Sequence, residues 1–512
     1  MLKEGYPSIY DGARPTPSDP KKAAFIRKQR DIEVTKGRFS PPFGPDLLPG
    51  MYCMPAHAVP KPNSSDLRMV TDHSAGPYSL NSMVDHNLVT GYPLDNITHM
   101  GEMLCENYHL TEGSVPMFVW KSDIAEAYRL MPLHPLWQLK QVNTVDGLRY
   151  IDRNITFGNS SSAAIFILFN SLVAWIAKNI RGIRHLTTYM DDSSGFGPQD
   201  DLLFYAPYSS SFPRDQTLLL QLWDDLSIPH KLKKQVFGSS IPVIGIDVDP
   251  NRMTLSLSAR KCVDLCDALL SWAIKPINGT KSHYQLRHWQ QLAGWVNWAF
   301  NVFPLLRPCL NNFYAKLRGS HDPRRKIWVN NVIRDDLAWA ARHIEASDGI
   351  QLLRSSFWDP ASADLMAYCD ACPKGMGFWY PQSQLAFFSP TPDLPDSGIF
   401  FFEALCVFCA LQDASLRVEP GSRIVIFTDN LNTVQIFNSL ACLPEYNHIL
   451  RRSIDILLAN KLDLRVLHIS GEMNTVADTR SRSKFDIALD LEPDLQLSPF
   501  QPPRWTLGAE EK

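Results

Sequence analysis

Gly182-Ile183-Arg184-His185-Leu186-Thr187-Thr188-Tyr189-Met190-Asp191-Asp192-Ser193-Ser194-Gly195-Phe196-Gly197 sets two adjacent carboxylates between two short apolar runs. Residues 182–188 read as one strand, and Ser193 to Gly197 supply a turn and a return strand, so Asp191 and Asp192 are expected at a hairpin tip. A third carboxylate lies upstream, where Phe118-Val119-Trp120-Lys121-Ser122-Asp123 reads as an apolar strand ending on an acid. Together the three acids can hold two magnesium ions. Magnesium prefers hard oxygen donors and keeps open positions for phosphate oxygens and water.

The segment around Asp123, continued by Ile124-Ala125-Glu126-Ala127-Tyr128, resembles the first palm motif of reverse transcriptases, and Tyr189-Met190-Asp191-Asp192 resembles that family's tyrosine-x-Asp-Asp turn. The resemblance implies that Asp123 and Asp191 bridge both metals, with Asp192 as a weaker auxiliary ligand. One ion would lower the pKa of the primer 3′-hydroxyl and the other would stabilise the leaving pyrophosphate. It also places Tyr128 under the sugar of the incoming nucleotide, where a 2′-hydroxyl would collide with the ring, so deoxynucleotides are expected.

Four further segments resemble the family in the same order. Val59-Pro60-Lys61-Pro62-Asn63-Ser64-Ser65-Asp66-Leu67-Arg68 to Asp72 looks like the fingers hairpin, in which Lys61 and Arg68 would grip the triphosphate. An Arg fork donates paired hydrogen bonds to phosphate oxygens. Phe157-Gly158-Asn159-Ser160-Ser161-Ser162-Ala163-Ala164 resembles the second palm motif, and Gly158 would let backbone approach the nucleotide. Pro229-His230-Lys231-Leu232-Lys233-Lys234 resembles the motif that carries a lysine near the leaving pyrophosphate, which is either Lys233 or Lys234. Val243-Ile244-Gly245-Ile246-Asp247-Val248 looks like the primer-grip strands.

Downstream, carboxylates recur in the order Asp370, Glu403, Asp429, Asp478. Asp370 and Asp429 close apolar strands, whereas Glu403 and Asp478 lie on helical patterns. This order resembles a ribonuclease H. Four converging carboxylates repel one another unless cations neutralise them, so a second two-metal site is implied. The loop Gly471-Glu472-Met473-Asn474 departs from the cellular members of that family, because it lacks the histidine they carry there. His468 precedes the loop. Slow turnover is the consequence expected.

Two decoys share this region. Cys369-x-x-Cys372 and Cys406-x-x-Cys409 have the spacing of a zinc site, but both pairs lie in apolar runs and read as buried free thiols. Asp396-Ser397-Gly398 resembles an aspartic-protease triplet, yet it lacks flanking apolar strands and reads as a turn.

Composition narrows the class. The chain has 512 residues, 45% hydrophobic and 11% aromatic, enough to bury large cores in three or more domains and to exclude a disordered protein. Its ten cysteines without a paired framework suggest a reducing compartment, and the first forty residues hold no apolar core of a secretory signal. An intracellular protein, in cytoplasm, nucleus or both, is expected. The longest apolar stretch, residues 163–180, contains Asn170, Ser171 and Lys178 and reads as a buried helix rather than a membrane span. Net charge is −3, so nucleic-acid contacts would depend on local groups such as Lys231 to Lys234, Arg324-Arg325-Lys326 and Arg480 to Lys484.

The resemblance implies an α/β multidomain chain, a right-hand polymerase with fingers, palm and helical thumb followed by a ribonuclease H-like α/β domain. The expected segments are 1–40 as a loosely ordered extension, 41–255 as fingers and palm with a hairpin turn at Val145-Asp146-Gly147-Leu148, and 256–319 as thumb. A connection at 320–360, the nuclease at 361–490 and a Pro-rich tail at 491–512 complete it. Leu286, Trp289, Ala293, Val296 and Phe300 recur at helical spacing in the thumb and read as core. Within retroelements Phe157-Gly158-Asn159-Ser160-Ser161-Ser162, the short thumb with Leu292-Ala293-Gly294-Trp295 and the direct passage to the nuclease look most like DIRS-type retrotransposons. The implied activities are RNA-directed DNA synthesis and hydrolysis of the RNA in the hybrid. The implied partners are an RNA template, a DNA primer, RNA:DNA hybrid, deoxynucleoside triphosphates and other retroelement proteins, with two Mg2+ per site and Mn2+ as a substitute. Two other readings are a domesticated nucleic-acid-binding relic without catalysis and an RNA-dependent RNA polymerase. The second conflicts with Tyr128 and with the appended hybrid nuclease.

Overall fold

The computed structural model describes residues 5–60, 66–275, 282–392 and 398–503 of a mixed α/β chain. It divides into two compact units, residues 1–252 and 253–512.

In the first unit a four-stranded antiparallel sheet runs in the spatial order Val236–Gly238, Met117–Asp123, Asp192–Pro198, Leu186–Tyr189. Its strand leading into the Asp191 turn starts at Leu186 rather than at Gly182, since residues 182–185 make no ladder pairs. Trp120, Phe196 and Leu186 are buried, and Trp120 and Leu186 belong to the core that this sheet shares with the helices Ser162–Asn179 and Arg214–Asp225. Beside it lie the hairpin Ala56–Pro60/Leu67–Thr71 and a second sheet containing Val142–Val145 and Leu148–Ile151. The connection between those last two strands is the expected turn. Asp146 and Gly147 both have positive φ (51° and 78°), the twist that suits a two-residue hairpin.

Two expectations for this unit need correction. The N-terminal segment is folded, because Pro20–Thr35 forms a helix capped by the Asp19 side chain and buries Ala23, Ile26 and Glu33. Its charged residues hid the ordering, since Glu33 is held at 2.8 Å by Arg129 from a distant segment. The helix Ser162–Asn179 is long and apolar enough to cross a membrane, but it is not buried all round. It packs Ala164, Phe166, Asn170, Val173 and Ala177 inward and leaves Leu168, Leu172 and Trp175 exposed.

The second unit joins helices, including Ala259–Ala273, Leu286–Ala299 and Asn331–Glu345, to a six-stranded mixed sheet. The spatial order is Asp463–His468, Arg423–Thr428, Leu365–Cys372, Gly375–Tyr380, Leu385–Pro390, Gln496–Pro499. Segments 256–319, 320–360 and 361–490, expected as separate pieces, lie within this one unit. The Pro-rich tail is also corrected, because Gln496–Pro499 adds to the sheet as a parallel edge strand on Leu385–Pro390. Against the sheet lies the helix Ile399–Ala414, in which 12 of 16 residues are buried. A helix apolar on every side is a core helix or a membrane span, and its packing on the sheet makes this one core. Glu403 is an acid inside it. Leu286, Trp289, Ala293, Val296 and Phe300 are all buried, as their spacing suggested.

Candidate active sites

Strand pairing builds the first site. Asp123 and Asp192 are direct partners across the two central strands, and the two-residue connection Met190-Asp191 carries the chain from Tyr189 back to Asp192. Like charges opposed on neighbouring strands repel. Two lysines offset this: Lys121 Nζ lies 2.9 Å from Asp192 Oδ2, and Lys234 Nζ donates to Asp123 Oδ2 at 2.7 Å. Burial, and then the charges of Asp123 and Asp192, raise the Asp191 carboxyl above the ordinary range for an aspartate, against its own backbone N–H and Lys234. The pairing to Asp123 in turn raises Lys234. Both lysines that the sequence left open are exposed, and Lys234 is the one that reaches an acid, Asp123.

The turn itself is strained, since Met190 sits at φ 55°, a region that non-glycine residues avoid. Two hydrogen bonds hold it. The side-chain amide of Asn170 donates to the Met190 carbonyl at 2.8 Å, and the Ile124 N–H donates to the Asp191 carbonyl at 3.1 Å. Asn170 and Lys121 are site residues that the sequence reading passed over. A lone Asn on the inward face of an apolar helix was the signal for one, and the period-2 placement of Lys121 on the same strand face as Asp123 was the signal for the other.

Next to the acids lies an aromatic row. The Tyr128 ring lies 4.9 Å from Phe157 and 5.7 Å from Phe166, centre to centre, and the Arg68 guanidinium lies 4.8 Å over Phe157. Burial, then the charge of Asp191, raises the Tyr128 phenol. The structure therefore gathers Asp123, Asp191, Asp192, Tyr128, Arg68 and Lys234 into one region. Gly158 has φ 102°, and a Cβ there would stand 2.2 Å from the Thr71 carbonyl oxygen. Its need for glycine is met by close approach of its own chain. Lys61 lies outside the described residues.

The second site is in the other unit. Asp370 lies on strand Leu365–Cys372, two residues before its end rather than closing it, and Asp429 follows strand Arg423–Thr428. These strands pair in parallel, which brings both acids to one end, beside Glu403 of the buried helix. One carboxylate oxygen from each of Asp370, Glu403 and Asp429 lies within 4.8 Å of the others, the one such acidic trio among the described residues. Asp370 and Glu403 are each only 4% exposed, and Asp370 Oδ2 is buried without a hydrogen-bond donor. Burial, then Asp370 and Asp429, push Glu403 up to about 8. Burial, then Asp429 and Asp478, push Asp370 up to about 6, against Ser481 and Arg482. An orphaned buried acceptor beside two further acids is a donor set for a divalent cation, so these residues fit a metal ion.

Asp478 does not join this trio. Its Oδ1 accepts from Arg482 Nε at 2.6 Å on the short helix Thr475–Ser481. The loop that lacks histidine does reach the site, since a Cβ on Gly471 would stand 3.3 Å from Asp429 Oδ2. Asn474 ends that loop, and its amide donates to the Cys369 carbonyl at 2.9 Å. The four thiols of the apparent zinc spacing are buried. Cys406 Sγ lies 3.4 Å from the Asp370 carbonyl oxygen and Cys372 Sγ 3.0 Å from that of Ser481. Asp396 and Ser397 lie outside the described residues.

No family model matches the chain, and no curated protein matches it. Among solved structures it is similar to a foamy viral protease-reverse transcriptase in complex with dsDNA, with a TM-score of 0.46 and 14% identity over 92% of this chain and 86% of that one. The foamy viral protein in complex with RNA/DNA hybrid gives a TM-score of 0.42 at 12% identity, covering 93% of this chain and 78% of that one.

Proposed function

We propose that this chain is an RNA-directed DNA polymerase joined to a ribonuclease H, part of a retroelement most like the DIRS type. The observation that carries this reading is the hairpin turn that sets Asp191 beside Asp192, directly across the sheet from Asp123. The buried trio Asp370, Glu403 and Asp429 supports the hydrolytic half. The first unit would act as fingers and palm, and the second would supply thumb, connection and nuclease.

In this reading Asp123 and Asp191 would hold two Mg2+, with Mn2+ as a substitute, and Asp192, paired with Lys121, would be the auxiliary ligand. Bound there, the ions would activate the primer 3′-hydroxyl and steady the pyrophosphate. The chain's own groups do the rest. Lys234 leaves Asp123 to meet the departing phosphates, Arg68 and Lys61 take the triphosphate, and Tyr128 closes the space under C2′ of the sugar. Asn170 keeps the turn from relaxing. In the second unit Asp370, Glu403 and Asp429 would hold the metals that serve hybrid cleavage. Asp478 joins them once Arg482 turns away. RNA template, DNA primer and deoxynucleoside triphosphates are the substrates, and the RNA:DNA hybrid is both product and second substrate.

The test is primer extension on an RNA template with deoxynucleotides or ribonucleotides in magnesium, run beside cleavage of a labelled RNA:DNA hybrid. Asp191→Asn should cost roughly a thousandfold or more in extension and spare cleavage, and Asp370→Asn should do the reverse. Extension near the parent rate by Asp191→Asn would end the polymerase assignment. Cleavage by neither parent nor variant would leave the second unit as a clamp on the hybrid.

A further inference from the structure

Charge is distributed unevenly along this chain. Residues 282–330 carry seven Lys and Arg side chains against one acid, Asp322, in a protein whose net charge is −3. Within that span the strands His283–Gln285 and Lys326–Trp328 pair as an isolated antiparallel ribbon, His283 opposite Trp328 and Gln285 opposite Lys326. Alternation gives the ribbon two faces. Tyr284 stacks on Trp272 at 3.9 Å and Ile327 is buried, so these two fix the inner face to the aromatic core around Trp289 and Phe313.

Much of the outer face is open to solvent, although Gln285 opposite Lys326 is half-buried. Lys326 is exposed, Trp328 is 40% exposed, and the Lys316 ammonium lies 4.2 Å over the Trp328 indole. Arg324 and Arg325 precede the strand and are exposed as well. Their backbone is held in a turn, with Asp322 accepting from the Arg324 N–H at 2.9 Å and the Leu286 N–H donating to the Arg325 carbonyl at 2.9 Å. Among the described residues none of the Arg324, Arg325 and Lys326 side chains forms an ion pair with a carboxylate. Cations on a fixed backbone beside a partly exposed indole are complementary to a polyanion that also offers flat rings.

We propose that this ribbon is a docking surface for single-stranded nucleic acid, remote in sequence from both acidic clusters. Arg324, Arg325 and Lys326 take successive phosphates, and a base lies against Trp328. The inference rests on the reading of the chain as a nucleic-acid enzyme, and it adds a strand-holding surface to it. Phosphate contacts release condensed counterions, so they are read from the salt dependence of binding, whereas a stacked base contributes affinity that salt leaves alone.

The experiment uses the full chain with chelator and without nucleotide. Anisotropy of a labelled oligouridine is titrated at several salt concentrations, beside an RNA:DNA hybrid of equal length. Arg324→Glu/Arg325→Glu/Lys326→Glu should lower the slope of log affinity against log salt by about 2 on the single strand, from roughly 0.7 per phosphate lost. Trp328→Ala should weaken single-strand binding roughly tenfold with the slope unchanged. Arg324→Lys/Arg325→Lys should keep the parent slope, and thermal melting checks that each variant is folded. Unchanged affinity and slope in the charge-reversed chain would overturn the proposal. So would losses confined to the hybrid, or a slope change without any effect of Trp328→Ala. Binding is measured without metal, so failure of primer extension leaves this result readable on its own.

Discussion

Glu403→Gln should make the metal-free protein more stable, although it replaces a residue at the centre of a buried site. Burial and the neighbouring acids Asp370 and Asp429 lift the Glu403 carboxyl from an ordinary 4.5 to about 8. The sign follows from where protons bind. A folded-state pKa above the unfolded one means that the native protein holds the proton more tightly, so this stability is fully present below about pH 4.5 and is lost as pH rises through about 8. At pH 7.5 the loss amounts to about 4 kcal/mol if the whole shift is expressed, and about 2 kcal/mol after relaxation, at 1.36 kcal/mol per unit. The substituted amide carries no proton to release, so the variant escapes this loss. At roughly 2–4 °C per kcal/mol for a unit of this size, its melting temperature in chelator at pH 7.5 should exceed the parent's by about 5–10 °C. The difference should vanish near pH 4.5. Magnesium should then raise the parent and leave the variant where it is, because the ion supplies the charge that the trio lacks. The assay is thermal melting from pH 4.5 to 8.5 with and without magnesium, beside hybrid cleavage, which the variant should lose. A variant less stable than the parent at pH 7.5 in chelator would refute the reasoning, as would a parent insensitive to pH across that range.

Tyr128→Val should admit ribonucleotides with a modest loss of deoxynucleotide use, because it removes a collision rather than a metal ligand; a nucleotide competition assay reads this, and unchanged discrimination would place the gate elsewhere. Gly158→Ala should destabilise the first unit by about 2 kcal/mol or more, since its Cβ would meet the Thr71 carbonyl oxygen at 2.2 Å in a left-handed backbone; urea unfolding of the full chain measures it, and a neutral result would show that the strand yields. Asn170→Ala should cost about 1 kcal/mol in the same experiment and slow primer extension more than its stability loss accounts for, because the Met190 carbonyl loses its donor.

Apolar runs closed by Asp gave the position of Asp123 at the end of its strand and of Asp429 just after its own, whereas Asp370 stands two residues inside strand Leu365–Cys372. Residues 142–151 and the Asp191 hairpin followed from turn chemistry that acts over a few residues. What stayed hidden depends on partners far along the chain. Glu33 is buried because Arg129 reaches it, and nothing within residues 20–35 announces that. The lysine ambiguity at 233 and 234 needed the position of Asp123, 111 residues away from Lys234. Asp478 sits on its helix as its spacing suggested, yet the choice between the acidic trio and Arg482 is one of side-chain direction, which spacing does not encode.

The strand Gln496–Pro499 bears on how the second unit can be handled as a separate piece. A fragment cut at residue 490, where the compositional boundary falls, would strip the partner from Leu385–Pro390 and leave a row of free amide and carbonyl groups beside Phe387 and Phe388. An uncovered edge of that kind invites pairing between copies. Such a fragment would be soluble only at low concentration and would form intermolecular sheet at that edge. A piece that extends through Phe500, which packs on Phe378 and whose N–H donates to the Phe388 carbonyl at 2.9 Å, keeps the edge closed.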